Sequence, residues 1–324
     1  MGEFELIERF FKRAARQAAL GVGDDCALLQ PGPGTQLAIS SDMLVEGRHF
    51  LSTVDPFKLG HKALAVNLSD LAACGARPIA FTLALALPRA DANWAAPFAQ
   101  GLFALADAHG CELVGGDTTQ GPLNICITVF GEVPLVRGRS QALLRSGAQA
   151  GDDLYVSGTV GDARLALEVF RGTLSLPTDV FEAARQRMEQ PTPRVALGMA
   201  LRGIATAAID ISDGLLGDLC HILKQSGVGA TVDADAAASR VAARAHCSDI
   251  DTAQWRDWAL AGGDDYELLF CAPTSRREAV TAAAQSSQTA VTRIGQIETQ
   301  RGLRLLDAGG QTLPNCYVSF DHFA

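Results

Sequence analysis

Ala207-Ala208-Ile209-Asp210-Ile211-Ser212-Asp213-Gly214-Leu215 runs from an apolar strand through an acidic turn into the start of a helix. Side chains alternate along an extended chain, so Asp210 and Ser212 point to one side, away from Ile211. Asp213 and Gly214 then open a helix over 215–225. A strand feeding a helix through a short polar loop is the unit of a mixed α/β fold. A helix N-terminus attracts phosphate and carboxylate alike, so this loop reads equally as a nucleotide cradle, a divalent-cation site or a self-capped helix start.

Five further motifs have the same make-up: Gly23-Asp24-Asp25, Ser40-Ser41-Asp42, Ser69-Asp70, Gly115-Gly116-Asp117 and Gly262-Gly263-Asp264-Asp265. Taken singly, each has an ordinary explanation. Gly23-Asp24-Asp25 reads as a turn, Ser40-Ser41-Asp42 as a cap or loop cluster, and Gly115-Gly116-Asp117 as a glycine turn with a solvated Asp. Asp70 falls inside a helix of small apolar residues, where a carboxylate is costly unless bound or paired; the alternative is a solvated stripe shared with Asn67. Their recurrence favours one site assembled by folding. Carboxylate and hydroxyl oxygens are hard donors suited to Mg²⁺, which completes its shell with water and substrate phosphates. The expectation is phosphoryl transfer.

Composition narrows the field. The chain has 324 residues, 48% of them hydrophobic, and a net charge of -9. That length predicts two domains, and no apolar run is long enough to span a bilayer. The N-terminal stretch lacks a cleavable signal pattern, so a cytoplasmic location is expected. The acidic balance argues against a nucleic-acid or anionic-membrane partner. Lys12, Lys58, Lys62 and Lys224 are the only lysines, so metal ions and arginines must neutralise a bound polyphosphate. There is neither a GxxxxGK[ST] loop nor a GxGxxG fingerprint. Eight cysteines without a CxxC pair are expected to be reduced, buried thiols.

The remaining pattern alternates helices and strands. Apolar spacing predicts an amphipathic helix over 3–19, a strand over 36–40 running into Ser41-Asp42, and a helix from Asp55-Pro56 to about 73. Strands follow at 79–87, 112–114 and 123–133, with a helix at 91–109. A polar, arginine-rich stretch over 134–151 marks the boundary between an N-terminal domain, 1–138, and a C-terminal domain, 139–324. The second domain reads as strands at 154–157, 206–210, 230–232, 267–271, 291–294 and 303–306, with helices at 162–170, 194–201, 215–225 and 276–285.

Five segments together resemble the thiamine-monophosphate kinase family of the aminoimidazole ribonucleotide synthetase-like superfamily. They are residues 21–29 (GVGDDCALL), 62–73 (KALAVNLSDLAA), 115–119 (GGDTT), 209–215 (IDISDGL) and 317–323 (YVSFDHF). Order and spacing match nearly end to end. The resemblance implies a two-domain α/β (α+β) fold whose N-terminal sheet pairs with its twin in a homodimer. It also implies transfer of the ATP γ-phosphoryl group to thiamine monophosphate; the mutual repulsion of the two phosphates adds the expectation of direct in-line transfer with several Mg²⁺ ions and no covalent nucleophile.

By the family's motif, Asp25, Ser40, Ser41, Asp42, Asp70, Asp117, Asp210 and Asp213 would form the Mg²⁺ shell. Gly116, Asp117, Arg145 and Ser212 would contact ATP. Substrate contacts fall to His49, Asp264 and Phe320. His49 has a plain loop histidine as its alternative. Asp264 stands where the family commonly has Glu, and Phe320 where Tyr or Trp is common. Two rivals remain: another ATP-dependent enzyme of the superfamily, and a Ca²⁺- or nucleotide-binding module without turnover, for which no EF-hand pattern exists.

Overall fold

The computed structural model describes residues 2–247 and 249–319. The chain forms two compact units: one spans Met1–Leu71 and Ala76–Gln141, the other Ala72–Gly75 and Ala142–Ala324.

In the first unit, α1 (Glu3–Leu6) continues as a single wide turn to Phe11. The expected helix over 3–19 therefore stops early. Two long-range contacts compete with it: Arg13 pairs with Asp107 at 3.0 Å, and the Glu112 carboxylate accepts the backbone N–H of Arg16 at 2.9 Å and of Gln17 at 3.0 Å. Amides satisfied by a side chain have no call on a helical carbonyl.

There follow β1 (Thr35–Val45), α2 (Pro56–Ala73), β2 (Arg77–Leu87), α3 (Ala92–His109), β3 (Glu112–Gln120), β4 (Asn124–Val136) and the short β5 (Arg139–Ser140). Asp91 caps α3 by accepting from the Asn93 N–H, and Gly110 ends it in a left-handed conformation. The sheet order is β1-β4-β2-β3, with β2 and β3 parallel and the other two contacts antiparallel. Alternation buries Ile125, Ile127 and Val129 of β4. Helices α2 and α3 touch backbone to backbone at two glycines: a Cβ on Gly60 would lie 2.0 Å from the Phe98 carbonyl oxygen, and one on Gly101 1.8 Å from that of Phe57.

Two strands overrun their expected ends. β1 continues through Ser41-Asp42, and β3 through Gly115-Gly116-Asp117, so these motifs are strand segments rather than loops. Hydrogen-bonded neighbours hold polar residues in the ladder that local propensity leaves out. Along β1 every odd position from Leu37 to Met43 is exposed, while Leu44 on the even face is buried.

The second unit contains β6 (Asp153–Ser157), α4 (Asp162–Phe170), α5 (Thr178–Glu189), α6 (Val195–Ala200), β7 (Ala207–Asp210), α7 (Leu215–Ser226), β8 (Gly229–Asp233), α8 (Ala234–Ala238), α9 (Thr252–Ala261), β9 (Leu268–Ala272), α10 (Arg277–Ser286), β10 (Val291–Glu298), β11 (Gly302–Leu306) and β12 (Thr312–Leu313). Its seven-stranded sheet runs β12-β11-β8-β10-β6-β9-β7. Helices α5, α8 and α9 have no counterpart in the sequence reading. α9 is recognisable afterwards from Asp251, whose side chain caps it at Gln254, and from the edge-to-face pair Trp255 and Trp258, 5.2 Å apart.

All eight cysteines are free, but only Cys111 and Cys271 are buried. Cys26, Cys220 and Cys316 are exposed, against the expectation of buried thiols. Cys126 is half-buried because strand alternation turns it to the face opposite Ile125 and Ile127. Among the described residues, no helix is long and apolar enough to cross a membrane.

Candidate functional site

In the second unit, β7 and β9 are antiparallel neighbours, with Asp210 opposite Leu268. The loop leaving β7 and the loop entering β9 therefore meet at one end of the sheet. The backbone N–H of Asp264 donates to the Ser212 carbonyl at 2.7 Å, and that of Tyr266 to the Ile211 carbonyl at 2.8 Å. Asp264 (φ 62°) and Tyr266 (φ 52°) are both left-handed, as is Gly263 (φ 69°). Two non-glycine residues in that region store strain that the surrounding contacts must hold.

Asp210 ends β7 and is buried; Ser212 and Asp213 are half-buried. Below them Asp218, in the first turn of α7, is 3% exposed, and its Oδ2 accepts the N–H of Ser212 at 3.1 Å and of Asp213 at 3.2 Å. Burial, reinforced by the Asp213 charge, pushes Asp218 up to about 7. The consequence is chemical. These two amides are spent on an internal carboxylate, so the loop does not present them to a phosphate.

Arg145 is exposed on the segment beside β7, where the Leu144 carbonyl accepts the Ala208 N–H at 2.9 Å. Ser226 at the end of α7 fixes that segment, donating to the Arg145 carbonyl at 3.2 Å and accepting from the Gly147 and Ala148 N–H groups at 3.1 Å each.

In the first unit, Ser40 Oγ donates to Asp70 Oδ2, joining β1 to α2. Asn67 Oδ1 accepts the Asp42 N–H at 3.0 Å while its Nδ2 donates to the Ala63 carbonyl at 3.0 Å. Asn67 is 1% exposed, so the reading of Asp70 and Asn67 as a solvated stripe does not hold. Ser40 and Asp42 share one face of β1. Ser41 lies on the other, its Oγ 3.0 Å from Thr128 Oγ1 and 3.6 Å from Cys126 Sγ, because strand neighbours point oppositely.

Asp117 is exposed on β3 opposite Ala84. The register places Asp42, Ile127, Leu83 and Gly116 in one row across the sheet. Asp42 and Gly116 thus sit on opposite edge strands, about 14 Å apart at three inter-strand steps of roughly 4.8 Å. Gly116 has φ 145°, and a Cβ there would lie 1.8 Å from the Leu83 carbonyl oxygen. Asp24 and Asp25 are exposed at the tip of a loop closed by the Leu28 N–H donating to the Leu20 carbonyl at 2.9 Å. His49 is half-buried in a tight turn, its Nδ1 accepting the Val45 N–H at 3.0 Å, which leaves Nε2 as the protonated nitrogen of the neutral ring. Phe320 lies outside the described residues.

Among the described residues, no three His, Cys, Asp or Glu side chains converge as a cation cluster. The idea of one ready-made cage is corrected accordingly: within the first unit Ser40 and Asp42 share one face of the sheet, while Ser41 and, in the row of Met43, Cys126 and Ala84, Asp117 fall on the other. What each unit does assemble is a sparse set of hard oxygens, Ser40 with Asp70 and Asp42 in one, Asp210 with Asp213 in the other. Mg²⁺ uses one or two carboxylates and takes the rest of its shell from water and phosphate, so these donors fit it.

The sequence reading missed the residues that hold the ligands in place. Asn67 sits three residues before Asp70 and Asp218 five residues after Asp213, and an acidic residue in the first turn of α7 was a visible signal. Glu267, fully buried, closes the motif that begins at Gly262.

Two family models match: AIR synthase related protein, N-terminal domain, over residues 23–133, and its C-terminal domain over residues 149–307. The chain is 46% identical to thiamine-monophosphate kinase of Salmonella typhimurium, over 100% of this chain and 98% of that protein. It is 45% identical to the crystal structure of thiamine-monophosphate kinase from Stenotrophomonas maltophilia, with a TM-score of 0.83 and 96% of each chain covered. AaThiL complexed with AMPPCP and TMP is 28% identical, with a TM-score of 0.77 over 91% of this chain and 89% of that one.

Proposed function

The chain belongs to the thiamine-monophosphate kinase family of AIR synthase-related proteins, and from that premise we propose that it transfers the γ-phosphoryl group of ATP to thiamine monophosphate, giving thiamine diphosphate and ADP. The observation that carries the reading is the hydrogen bond from Asp264 N to Ser212 O, 2.7 Å. It binds the loop assigned to ATP and metal to the loop assigned to the acceptor substrate. The complex of AaThiL with AMPPCP, an ATP analogue, and TMP supports the same pair of substrates.

The chemistry is a matter of charge. Two phosphate groups must meet, and unit charges 4 Å apart repel by roughly 4 kcal/mol even at an effective dielectric of 20. Mg²⁺, when bound, would neutralise the phosphate oxygens and hold donor and acceptor in line. Asp25, Ser40, Asp42, Asp70, Asp117, Asp210 and Asp213 are the residues assigned to hold it. Ser41 belongs to the family's set but turns its hydroxyl to the opposite face of the sheet. The row separation of Asp42 and Gly116 favours several ions along an extended polyphosphate over one shared ion.

Gly116 lets the β3 backbone approach closely, and Arg145 and Ser212 are the further ATP contacts. His49, Asp264 and Phe320 are assigned to thiamine monophosphate. The acceptor phosphate is already ionised at neutral pH, so no general base or covalent nucleophile is required. The exposed apolar row on edge strand β1, Leu37 (42%), Ile39 (61%) and Met43 (52%), supports pairing with a second copy. A cytoplasmic location fits free thiols and a cytosolic co-substrate.

Mass-spectrometric detection of thiamine diphosphate from thiamine monophosphate, ATP and Mg²⁺ tests the activity. ATP made chiral at the γ-phosphorus tests the single step: inversion is expected, and net retention would require an enzyme-bound intermediate.

A further inference from the structure

We propose that Arg194 and Arg187 are positioning residues for Asp264, acting through the buried carboxylate of Glu267; the proposal rests on the reading of Asp264 as the thiamine monophosphate contact. Glu267 is fully buried, and its carboxylate takes a fork from Arg194, Nε at 2.6 Å and Nη2 at 2.5 Å. Arg187 Nη2 adds a third contact at 2.7 Å, and Ser157 Oγ a fourth at 2.5 Å. The Glu267 carbonyl accepts the Ile211 N–H at 2.8 Å, so main chain and side chain of this residue are both fixed.

The left-handed stretch lies immediately before that anchor. Asp264 and Tyr266 hold positive φ only while something prevents the turn from relaxing. On one side the restraint is the pair of hydrogen bonds to Ser212 and Ile211. On the other it is the arginine clamp, helped by Asp265, whose two carboxylate oxygens accept the Gly161 N–H at 2.9 and 3.0 Å, and by Arg187 reaching the Asp265 carbonyl at 3.4 Å. A planar guanidinium fork fixes the orientation of a carboxylate as well as its charge, which an ammonium does not.

Strand β9 is wholly apolar and buried from Leu268 to Ala272, and it touches the clamp where Ser157 Oγ accepts the Leu268 N–H at 2.8 Å. Arg187 and Arg194 also line a cavity of about 560 Å³ walled by Val180, Ala184 and Ala243, and they keep 22% and 17% of their side-chain surface exposed. A small cation in solution can therefore reach the place of a deleted guanidinium.

The test uses the full-length protein with Arg194→Ala, Arg194→Lys and Arg187→Ala. Arg194→Ala is expected to raise KM for thiamine monophosphate about tenfold while KM for ATP stays within about twofold, the split that marks a loss confined to acceptor binding. Millimolar guanidinium should recover part of the loss, and Arg194→Lys should recover less. Hydrogen exchange of the Asp264 and Tyr266 amides, measured without substrate, should quicken in Arg194→Ala and Arg187→Ala. Equal changes in both KM values, or a lower melting temperature with neither the KM split nor faster exchange, would make the arginines merely structural. If the wild type forms no thiamine diphosphate, the assignment of Asp264 fails, while the exchange measurement still decides whether the clamp orders the turn.

Discussion

Asp218 accepts the backbone N–H of Asp213 at 3.2 Å, so a buried carboxylate orders the loop that carries a half-buried one. Its side chain sits in the first turn of α7 and reaches back past Gly214, the residue just before the helix. The same oxygen takes the Ser212 N–H, and the Ser212 carbonyl in turn takes the Asp264 N–H. One carboxylate thus stands behind both loops of the candidate site.

Replacing Asp218 with Ala is expected to cost about 1 to 3 kcal/mol, the penalty for leaving buried donors without partners. Asp218→Asn should cost less, because an amide oxygen still accepts and because burial already pushes this group up to about 7, which narrows the difference between charged and neutral forms. Urea unfolding of the metal-free protein reads both values. Equal losses for Ala and Asn would remove the acceptor role.

Gly116→Ala tests the close approach of β3 and β2. A Cβ at 1.8 Å from the Leu83 carbonyl oxygen cannot be accommodated by a rotamer, since the obstacle is backbone, and φ 145° adds strain. The expected destabilisation is roughly 1 to 3 kcal/mol, with the ladder around Asp117 displaced. A variant with unchanged unfolding midpoint and unchanged ATP binding would show that the strand tolerates the methyl group.

Much of this architecture was legible because it depends on local pattern. The helices at Pro56–Ala73, Ala92–His109 and Leu215–Ser226 carry apolar spacing and a closing glycine, and the first two add a first-turn Pro and an Asp cap respectively. The strand–loop–helix at Ile209–Leu215 was readable for the same reason. What was not legible depends on partners distant in the chain. The early end of the first helix is set by Glu112 and Asp107, and the strand character of Ser41-Asp42 by Thr128 and Ile127. Candidate ligands could be named from residue type, but opposite faces for Ser40 and Ser41 follow only once both lie in a strand.

Asp153 offers a pH test away from the candidate site. It is buried between Arg277 at 2.6 Å and Arg293 at 3.3 Å, and the Arg277 hydrogen bond, opposed by burial, holds its carboxyl below the ordinary value of 3.8. A depressed carboxyl contributes stability above its unfolded value, and that contribution is lost as pH falls through the folded one. Wild type should therefore exceed Asp153→Asn in melting temperature near neutrality, with the gap closing below about pH 4. A gap that stays constant with pH would mean the loss is packing rather than charge.

The edge strand β1 is the last feature to press. Eleven residues long, it is an edge of its sheet, where Asn67 on α2 takes the Asp42 N–H, and it shows Leu37, Ile39 and Met43 on its exposed face. Long apolar edges are templates for pairing, and natural proteins that stay monomeric blunt them with charge, most often lysine. Here β1 itself carries no lysine or arginine, and its one charged residue, Asp42, faces the other way. The double substitution Ile39→Lys and Met43→Lys places two ammonium groups on the row without disturbing the Ser40–Asp42 face. Sedimentation velocity is expected to give a dimer for the wild type and a monomer for the variant, with circular dichroism unchanged. A monomeric wild type, or a variant that still sediments as a dimer, would move the contact away from β1.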